Sequence, residues 1–235
     1  MSTLNKIHSN IPPIEDVFTG WDTLTPDERV FVKKNSTVQY YKKGEIIYSE
    51  GDTPTHMMVL ARGKAKVYKG TAGRRMQIVR MLAVGVPFAY RAMIANETYN
   101  TTVAAFEASA VYMLKADIFR SILRNNNGFC FRFLEELATD LADSDSLTIN
   151  LTQKHIRGRL AETLLFLKKK YGLEEDGATI NIYLSRDDLA NFSNMTTSNA
   201  IRALMAFENE HIIAIDGRRL KIINEEKLIR ISKLG

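Results

Sequence analysis

Short apolar runs separated by glycines and polar turns fill the first half of the chain. Between residues 40 and 114, runs such as IIY, MMVL and AKVY alternate with turns, and glycines recur at intervals of seven to twelve residues. These glycines are Gly44, Gly51, Gly63 and Gly70. Regularly spaced short strands with turn residues between them predict an antiparallel sandwich or barrel. We expect a β-roll or jelly roll of about eight strands, because the helical periods of a mixed α/β domain are missing between the runs.

A narrower periodicity follows near the middle of the chain. Six positions recur at alternating intervals of three and four residues: Leu134, Leu137, Leu141, Ser144, Thr148 and Leu151. This spacing is the a/d heptad of a coiled-coil seam, whereas a helix that packs on a core has a wider apolar stripe. Charged residues stand between the seam positions: Glu135, Glu136, Asp140 and Asp143. The pattern predicts a long helix that forms a parallel homodimer through its four leucines, and the alternative is a helix that lies on the barrel.

The last third of the chain has the pattern of a helix-turn-helix. Ser185 and Thr196 each stand at the N-cap of a helix, and Asn194 between them tolerates the left-handed backbone of a tight turn. The second helix has apolar residues at i, i+3, i+4 and i+7, namely Ala200, Ala203, Leu204 and Phe207. The dipeptide Asp216-Gly217 between two β runs then predicts a hairpin. A helix-turn-helix followed by a basic hairpin is typical of a winged helix.

This arrangement points to DNA as the partner. The first turn of a recognition helix faces the major groove, so we expect Thr197, Ser198 and Arg202 to reach bases or phosphates. Thr196 and Asn199 are better placed to cap the helix and contact backbone phosphates. The strand after the hairpin turn adds three cations for the phosphates: Arg218, Arg219 and Lys221. The alternative, a purely structural helical hairpin, leaves these cations unexplained.

Length and charge fit two domains and a nucleic-acid partner. The usual size of a domain favours two domains in 235 residues. We expect a sensor domain over residues 1–152 and a winged-helix domain over residues 153–235. Within the sensor domain, the β-roll is expected over about 18–115 and the dimerisation helix over about 129–152. A net charge of +5 permits a nucleic-acid partner without requiring one.

The sequence offers little for catalysis or for membrane insertion. No segment approaches the ~20 apolar residues of a membrane span, and a single cysteine, Cys130, fits a reducing compartment, so we expect a cytoplasmic protein. His56 is the only histidine between residues 40 and 114, whereas a metal centre of the cupin kind needs several converging ligands. No GxSxG, HExxH or P-loop motif is present. We therefore expect no enzymatic activity and no metal site.

Several stretches resemble the Crp/Fnr family of transcription regulators. KKGEIIYSEGD, LARGKAKVYKG and GRRMQIVRML are similar to the family's β-roll, while RGRLAETLLFL and SRDDLANFSNMTTSNAIRAL are similar to its DNA-binding domain. The resemblance covers nearly all of the chain. It implies an α+β fold with an N-terminal antiparallel β-roll, a long dimerisation helix and a C-terminal winged helix-turn-helix. It further implies a homodimer that reads a palindromic operator in double-stranded DNA and works with RNA polymerase.

The segment after the roll departs from the cyclic-AMP-binding members of that family. In those members a Gly-Glu pair and, further on, an Arg-Ser pair hold the ribose and the cyclic phosphate. Here the glutamate position falls at Tyr90 or Arg91, and the Arg-Ser position falls at Tyr99-Asn100 or Asn100-Thr101. No arginine stands where the phosphate would bind, although Arg91 nearby could substitute. Because a buried phosphate needs a charged partner, cyclic AMP is not the expected ligand.

We expect instead a diverged effector pocket for an unidentified small molecule. The hydroxyl that the dimer helix contributes to the family's pocket is retained as Ser144, with Asp145 beside it. The expected pocket residues are Phe88, Tyr90, Arg91, Tyr99, Asn100, Thr101, Ser144 and Asp145.

Two other functions stay open at this point. An iron–sulfur sensor needs about four thiolates and is excluded by the single cysteine. A haem or redox sensor would need an axial ligand, for which His56 and Cys130 are weak candidates, so no cofactor is expected. A cyclic-nucleotide-binding module of a signalling complex would share the β-roll but has no use for a winged helix.

Overall fold

Strands and turns alternate through the first half of the chain, as the glycine spacing predicts. The structure is a computed structural model and describes residues 11–70 and 76–234. The strands of this half are β1 Ser36–Tyr41, β2 Ile46–Tyr48, β3 His56–Arg62, β4 Ala65–Lys69, β5 Gln77–Leu82, β6 Pro87–Phe88, β7 Thr102–Ala105 and β8 Ser109–Lys115. They form two four-stranded sheets in the orders β1-β8-β3-β6 and β2-β7-β4-β5. The pairs β1–β8, β3–β8, β3–β6, β2–β7 and β4–β7 are antiparallel, which confirms the β-roll.

Helices, rather than strands, occupy the segment before β1. The β-roll was expected from about residue 18, but α1 (Ile14–Val17), a 3₁₀ turn and α2 (Pro26–Asn35) come first. Thr25 explains the helix α2: its side chain accepts a hydrogen bond from the backbone of Glu28, and the Glu28 side chain accepts one from the backbone of Thr25. This capping box, with Pro26 in the first turn, starts a helix within the range in which the roll was expected.

The central strand β3 is buried on both faces. Met58 and Leu60 belong to the core between the two sheets, whereas Met57 and Val59 belong to a second core that also contains residues of the surrounding helices. This alternation with a period of two separates the interior of the roll from the cluster under the helices. Gly63 ends the strand with φ +89°, and a Cβ there would lie 2.4 Å from Ser109 Oγ, so only glycine fits the turn.

Three helices complete the first half, and the longest of them is the predicted dimerisation helix. They are α3 Tyr90–Ala95, α4 Ala116–Asn125 and α5 Asn127–Gln153. The long helix, predicted over about 129–152, is thus confirmed. Asn126 precedes it, and its Oδ1 accepts a hydrogen bond from Phe129 N at 2.8 Å, which caps the first turn.

The last part of the chain is helical with a two-stranded hairpin. Its elements are α6 Ile156–Tyr171, α7 Arg186–Phe192, α8 Thr197–Asn209, β9 Ile213–Asp216, β10 Arg219–Ile222 and α9 Glu225–Leu234. Its buried side chains include Leu160, Leu164, Leu189, Leu204 and Phe207. This order of elements confirms the winged helix-turn-helix. No helix of the described residues is long and apolar enough to cross a membrane.

The described residues divide into two compact units. The first takes in the residues up to Lys69 together with Val79–Asp140, and the second takes in Leu141 onward together with the stretch between Gly70 and Ile78. The division falls inside α5, so the expected domain boundary at residue 152 stays a prediction.

Candidate DNA interface and effector site

Two side-chain caps and a left-handed turn define the helix-turn-helix. Ser185 Oγ accepts a hydrogen bond from Asp188 N at 3.0 Å at the start of α7, and Thr196 Oγ1 accepts one from Asn199 N at 3.2 Å at the start of α8. Asn194, in the turn between them, has φ +50°. Because a backbone donor at each helix start is satisfied locally, these short helices begin at fixed residues. All three features agree with the sequence prediction.

The helix α8 buries one face and leaves the other open. The buried side chains are Ala200, Ala203, Leu204 and Phe207, as the spacing predicts. Ser198 and Arg202 are exposed, and Arg202 donates a hydrogen bond to Asn199 Oδ1. Thr197 is half-buried, and its hydroxyl donates to Asp187 Oδ1 at 2.6 Å. Of the three predicted base-reading residues, Ser198 and Arg202 therefore have free access, whereas the Thr197 hydroxyl proton is held by the neighbouring helix.

The wing turn differs by one residue from the prediction. Asp216 pairs with Arg219 across the hairpin, so the two turn residues are Gly217 and Arg218. Gly217 has φ +57°, a conformation that glycine adopts without strain. Arg218 was expected in the second strand, but pairing of Asp216 closes the hairpin one residue later and leaves Arg218 exposed at the tip of the turn.

The other two wing cations have carboxylate partners that the sequence analysis did not identify. Arg219 lies 3.3 Å from Glu174 Oε2, with its guanidinium 5.6 Å from the ring centre of Tyr183, and Lys221 lies 3.4 Å from Asp176 Oδ2. Hydrogen bonds from the backbone two and three residues further on hold the pKa of Asp176 well below its usual range, so its charge persists. DNA phosphates would have to compete with these carboxylates for Arg219 and Lys221. Arg218 forms no ion pair with another described residue, so a phosphate would meet no such competition there.

A further arginine positions the wing. Arg186, the first residue of α7, donates from a guanidinium nitrogen to the carbonyl oxygen of Gly217 at 2.9 Å. The bond joins the first helix of the motif to the wing turn across 31 residues of sequence. No local pattern could have indicated it, because only the tertiary fold brings the two residues together.

The aromatic residues expected in the effector pocket separate into two clusters. Phe88 and Tyr99 lie in the core between the two sheets, where Tyr99 stacks on Tyr48 with ring centres 3.8 Å apart. Tyr90 lies in the cluster under the helices, and its ring centre is 4.8 Å from that of Phe133. The backbone turns at Ala89, with φ +67°, between Phe88 and Tyr90 and so separates the two clusters, and a shared effector pocket of the expected residues stays a prediction.

The polar members of the predicted pocket are more exposed. Asn100 is exposed, Thr101 is half-buried and hydrogen-bonded to the hydroxyl of Tyr48, and the side chain of Arg91 is 47% exposed. Ser144 and Asp145 are exposed residues of α5 within the second unit, and their part in an effector pocket stays a prediction.

The helix α5 has two apolar faces. Phe129 and Phe133 are buried in the cluster under the helices, and Leu137 packs against the same cluster. Leu134 and Leu141, in contrast, are 55% and 64% exposed. Leu137, one of the predicted seam residues, stands four residues after Phe133 and so shares the face that packs on the roll, and its part in a dimer stays a prediction. The side chain of Leu151, the fourth predicted seam residue, lies outside the described part of the chain.

An ion cluster at the same face of α5 was not foreseen. Asp140 is one of the charged residues between the predicted seam positions, and its carboxylate forms an ion pair with Arg80 of β5 and lies 4.0 Å from Arg91 of α3. The side chains of Arg80 and Asp140 are only 18% and 17% exposed. Asp140 follows Phe133 by two helical turns, which places it on the face toward the roll.

His56 and Cys130 are the candidate ligands for a haem or redox sensor. His56 Nδ1 is hydrogen-bonded to Thr55 Oγ1 at 2.9 Å, and burial lowers the pKa of His56. Cys130 is a half-buried free thiol. Among the residues that the structure describes, no three histidine, cysteine, aspartate or glutamate side chains are grouped to hold a metal ion.

Comparison with known proteins assigns both halves of the chain. Residues 38–126 match the family model of the cyclic nucleotide-binding domain, and residues 158–231 match that of the Crp-like helix-turn-helix domain, so the two models together take in more than half of the chain. The chain is 23% identical over 205 residues to the "Probable transcriptional regulator flp" of Lacticaseibacillus casei. That alignment covers 87% of this chain and 91% of the relative.

Solved structures share the fold over most of the chain. FixK2 from Bradyrhizobium japonicum superimposes with a TM-score of 0.76 at 20% identity, covering 83% of this chain and 96% of its own. A transcriptional regulator of the CRP/FNR family from Thermus thermophilus gives a TM-score of 0.69 at 15% identity, covering 84% and 98%. The two family models, the capped helix-turn-helix and the β-roll agree, and this chain belongs to the Crp/Fnr family of DNA-binding transcription regulators.

Proposed function

We propose that the protein is a homodimer that binds a palindromic DNA operator through α8 and the wing and acts with RNA polymerase at promoters. The carrying observation is the open face of α8, where Ser198 and Arg202 are exposed beside the helix start that Thr196 caps. In a helix-turn-helix this end of the second helix contacts base edges, and surrounding cations take the phosphates. Arg218 at the wing tip is the cation best placed for that second role.

Exposed apolar side chains on α5 support the homodimer. Besides Leu134 and Leu141, the same helix also exposes Phe131, whose side chain is 63% exposed. Large apolar side chains spaced along one helix are costly to leave in water, and a second copy of the same helix covers them symmetrically. A dimer also places two recognition helices on the two halves of a palindrome.

Binding assays with two arginine variants test the DNA reading. R202A should weaken binding to an operator selected from the source genome by about 1–3 kcal/mol, while binding to random duplex changes little, since a base contact is lost. R218A should weaken binding to both duplexes and reduce the salt dependence by about one released counterion, since a phosphate contact is lost. Fluorescence anisotropy over a series of salt concentrations measures both effects.

The matched control for these variants is R124A, which removes an exposed arginine of α4 in the first unit. It should bind both duplexes like the unmodified protein. Equal losses of R202A on operator and random DNA would remove Arg202 from base reading, and an absence of salt-dependent binding to any genomic fragment would contradict the proposed function.

The effector is proposed to be a small molecule other than cyclic AMP. Tyr99-Asn100 or Asn100-Thr101, neither of which contains an arginine, stands where the cyclic-AMP-binding members have their arginine–serine pair. Stacked Tyr48 and Tyr99 pack in the core between the sheets. Arg91, the nearest substitute for the missing arginine, already lies 4.0 Å from the carboxylate of Asp140. The cyclic phosphate would therefore find no arginine at the position where the cyclic-AMP-binding members hold it.

Millimolar cyclic AMP is accordingly expected to leave the melting temperature unchanged. A ligand that binds only the folded state stabilises it by RT ln(1 + [L]/Kd), or about 2.7 kcal/mol at a hundredfold excess over Kd. Differential scanning fluorimetry, with a cyclic-AMP-activated regulator measured in parallel, checks this. A clear upward shift that R91A abolishes would show that Arg91 holds the cyclic phosphate after all.

A further inference from the structure

We propose that Arg80 and Arg91 form a binding site for an oxyanion group of the effector, phosphate or carboxylate, and that Asp140 occupies this site in the ligand-free protein. Binding of the anion then displaces Asp140 and frees the turn of α5 that carries it from the roll. The inference rests on the proposed function, since it names the chemistry by which the first unit would respond to an effector.

The geometry shows a carboxylate that only partly satisfies two arginines. Oδ2 of Asp140 is the oxygen nearest to both guanidinium groups, as the ion-pair partner of Arg80 and at 4.0 Å from Arg91 Nη1. Three separate elements, β5, α3 and α5, supply these side chains. A site that converges from three elements around one oxygen atom is arranged to hold an anion.

Arg80 has a buried donor that Asp140 does not reach. Its Nε is buried and has no hydrogen-bond partner among the described residues, while Nη1 donates to Asp140. A buried unpartnered donor is costly, and a guanidinium group is best satisfied by two oxygens of one anion along its Nε–Nη edge. A diffusible phosphate or carboxylate can orient two of its oxygens along this edge, whereas the carboxylate of Asp140 is held in place by its helix.

The charges around the site favour an added anion. Two guanidinium groups face one carboxylate, since the neighbouring Glu136 is engaged with Arg132 at 3.0 Å. Burial raises the pKa of Tyr90 to about 12 and also raises the pKa of Tyr48, against the opposing charges of Arg80 and Arg91. Both phenols are therefore protonated at neutral pH, and their hydroxyl groups can donate hydrogen bonds to an oxyanion.

Displacement of Asp140 would act directly on the helix of the proposed dimer interface. Asp140 is adjacent in sequence to Leu141, whose side chain is exposed, and it follows Leu137, which packs on the roll. The anion can bind only to protein molecules in which Asp140 has left the two arginines. Its apparent affinity is therefore the intrinsic affinity multiplied by the fraction of such molecules. The ion pair therefore sets both the effector affinity and the attachment of the helix.

Thermal unfolding of D140N measures this competition. We expect inorganic phosphate, added at constant ionic strength with sodium chloride as the balance, to bind D140N about tenfold more tightly than the unmodified protein, because the internal competitor has lost its charge. D143N is the matched control, since Asp143 is an exposed aspartate of the same helix, and it should behave like the unmodified protein. A parallel series with acetate distinguishes the two sources: binding of acetate alone indicates a carboxylate effector, and binding of phosphate alone a phosphorylated one.

A double variant and a second measurement test the inference independently. D140N/R91Q should lose the tighter binding of phosphate. In the unmodified protein, phosphate should speed the hydrogen exchange of backbone amides around residues 137–141, and this second measurement does not require any variant to fold. Equal anion binding by D140N and D143N, tight binding that persists in D140N/R91Q, or unchanged exchange would each overturn the site. DNA binding measured on the same preparations separates the two ideas, since its absence contradicts the proposed function whatever the anion series shows.

Discussion

L141D is expected to convert the dimer into monomers and to abolish high-affinity operator binding. Leu141 is 64% exposed in the single chain, so an aspartate there does not disturb the fold of one protomer. In a parallel pair of helices the two aspartates would face each other in a desolvated seam, and an uncompensated buried charge costs on the order of 3–5 kcal/mol. Multi-angle light scattering should give the 26.6 kDa of one chain in place of twice that mass.

The control for this experiment is L234D, because Leu234 is an even more exposed leucine, on α9. It should remain dimeric and bind the operator normally. If L141D stays dimeric, the interface lies elsewhere on the chain, and if L234D dissociates instead, α9 carries it.

F133A is expected to destabilise the first unit by about 3–5 kcal/mol, the usual cost of removing a buried phenyl ring. Phe133 is 2% exposed, and its ring centre lies within 5.0 Å of those of Tyr90, Phe119 and Phe129. Urea unfolding followed by circular dichroism measures the loss. F31A, which removes a 47% exposed ring from α2, should stay within about 0.5 kcal/mol of the unmodified protein. Equal stability of F133A and F31A would mean that α5 does not depend on this cluster for its attachment to the roll.

Features set by neighbouring residues were predictable from the sequence. The four glycines that mark the turns of the roll, Gly44, Gly51, Gly63 and Gly70, all have φ between 84° and 111°. The caps at Ser185 and Thr196 depend on a hydroxyl and a backbone donor three residues away, so the local pattern determines them. The wing turn was displaced by one residue because Asp216 and Gly217 fit two hairpin registers equally well by pattern.

Features set by distant residues were not predictable in this way. Asp140 has the same local surroundings as the other acidic residues of α5, and only the roll, 60 residues earlier, distinguishes it by supplying Arg80. The carboxylates that hold Arg219 and Lys221 likewise come from a loop that no periodicity connects to the wing. The heptad pattern describes one face of α5 and did not indicate that Phe129 and Phe133 are buried on another, while the dimer seam itself stays a prediction.

The bond from Arg186 to the carbonyl of Gly217 has a consequence for the choice of operators. This bond links the wing tip to the first helix of the motif, so we expect the helix-turn-helix and the wing to contact DNA as one unit in the proposed complex. Such a unit cannot stretch to accommodate half-sites that are closer together or further apart. Tolerance to spacing must come from elsewhere in the dimer or from bending of the DNA, whose stiffness then becomes part of what distinguishes one promoter from another.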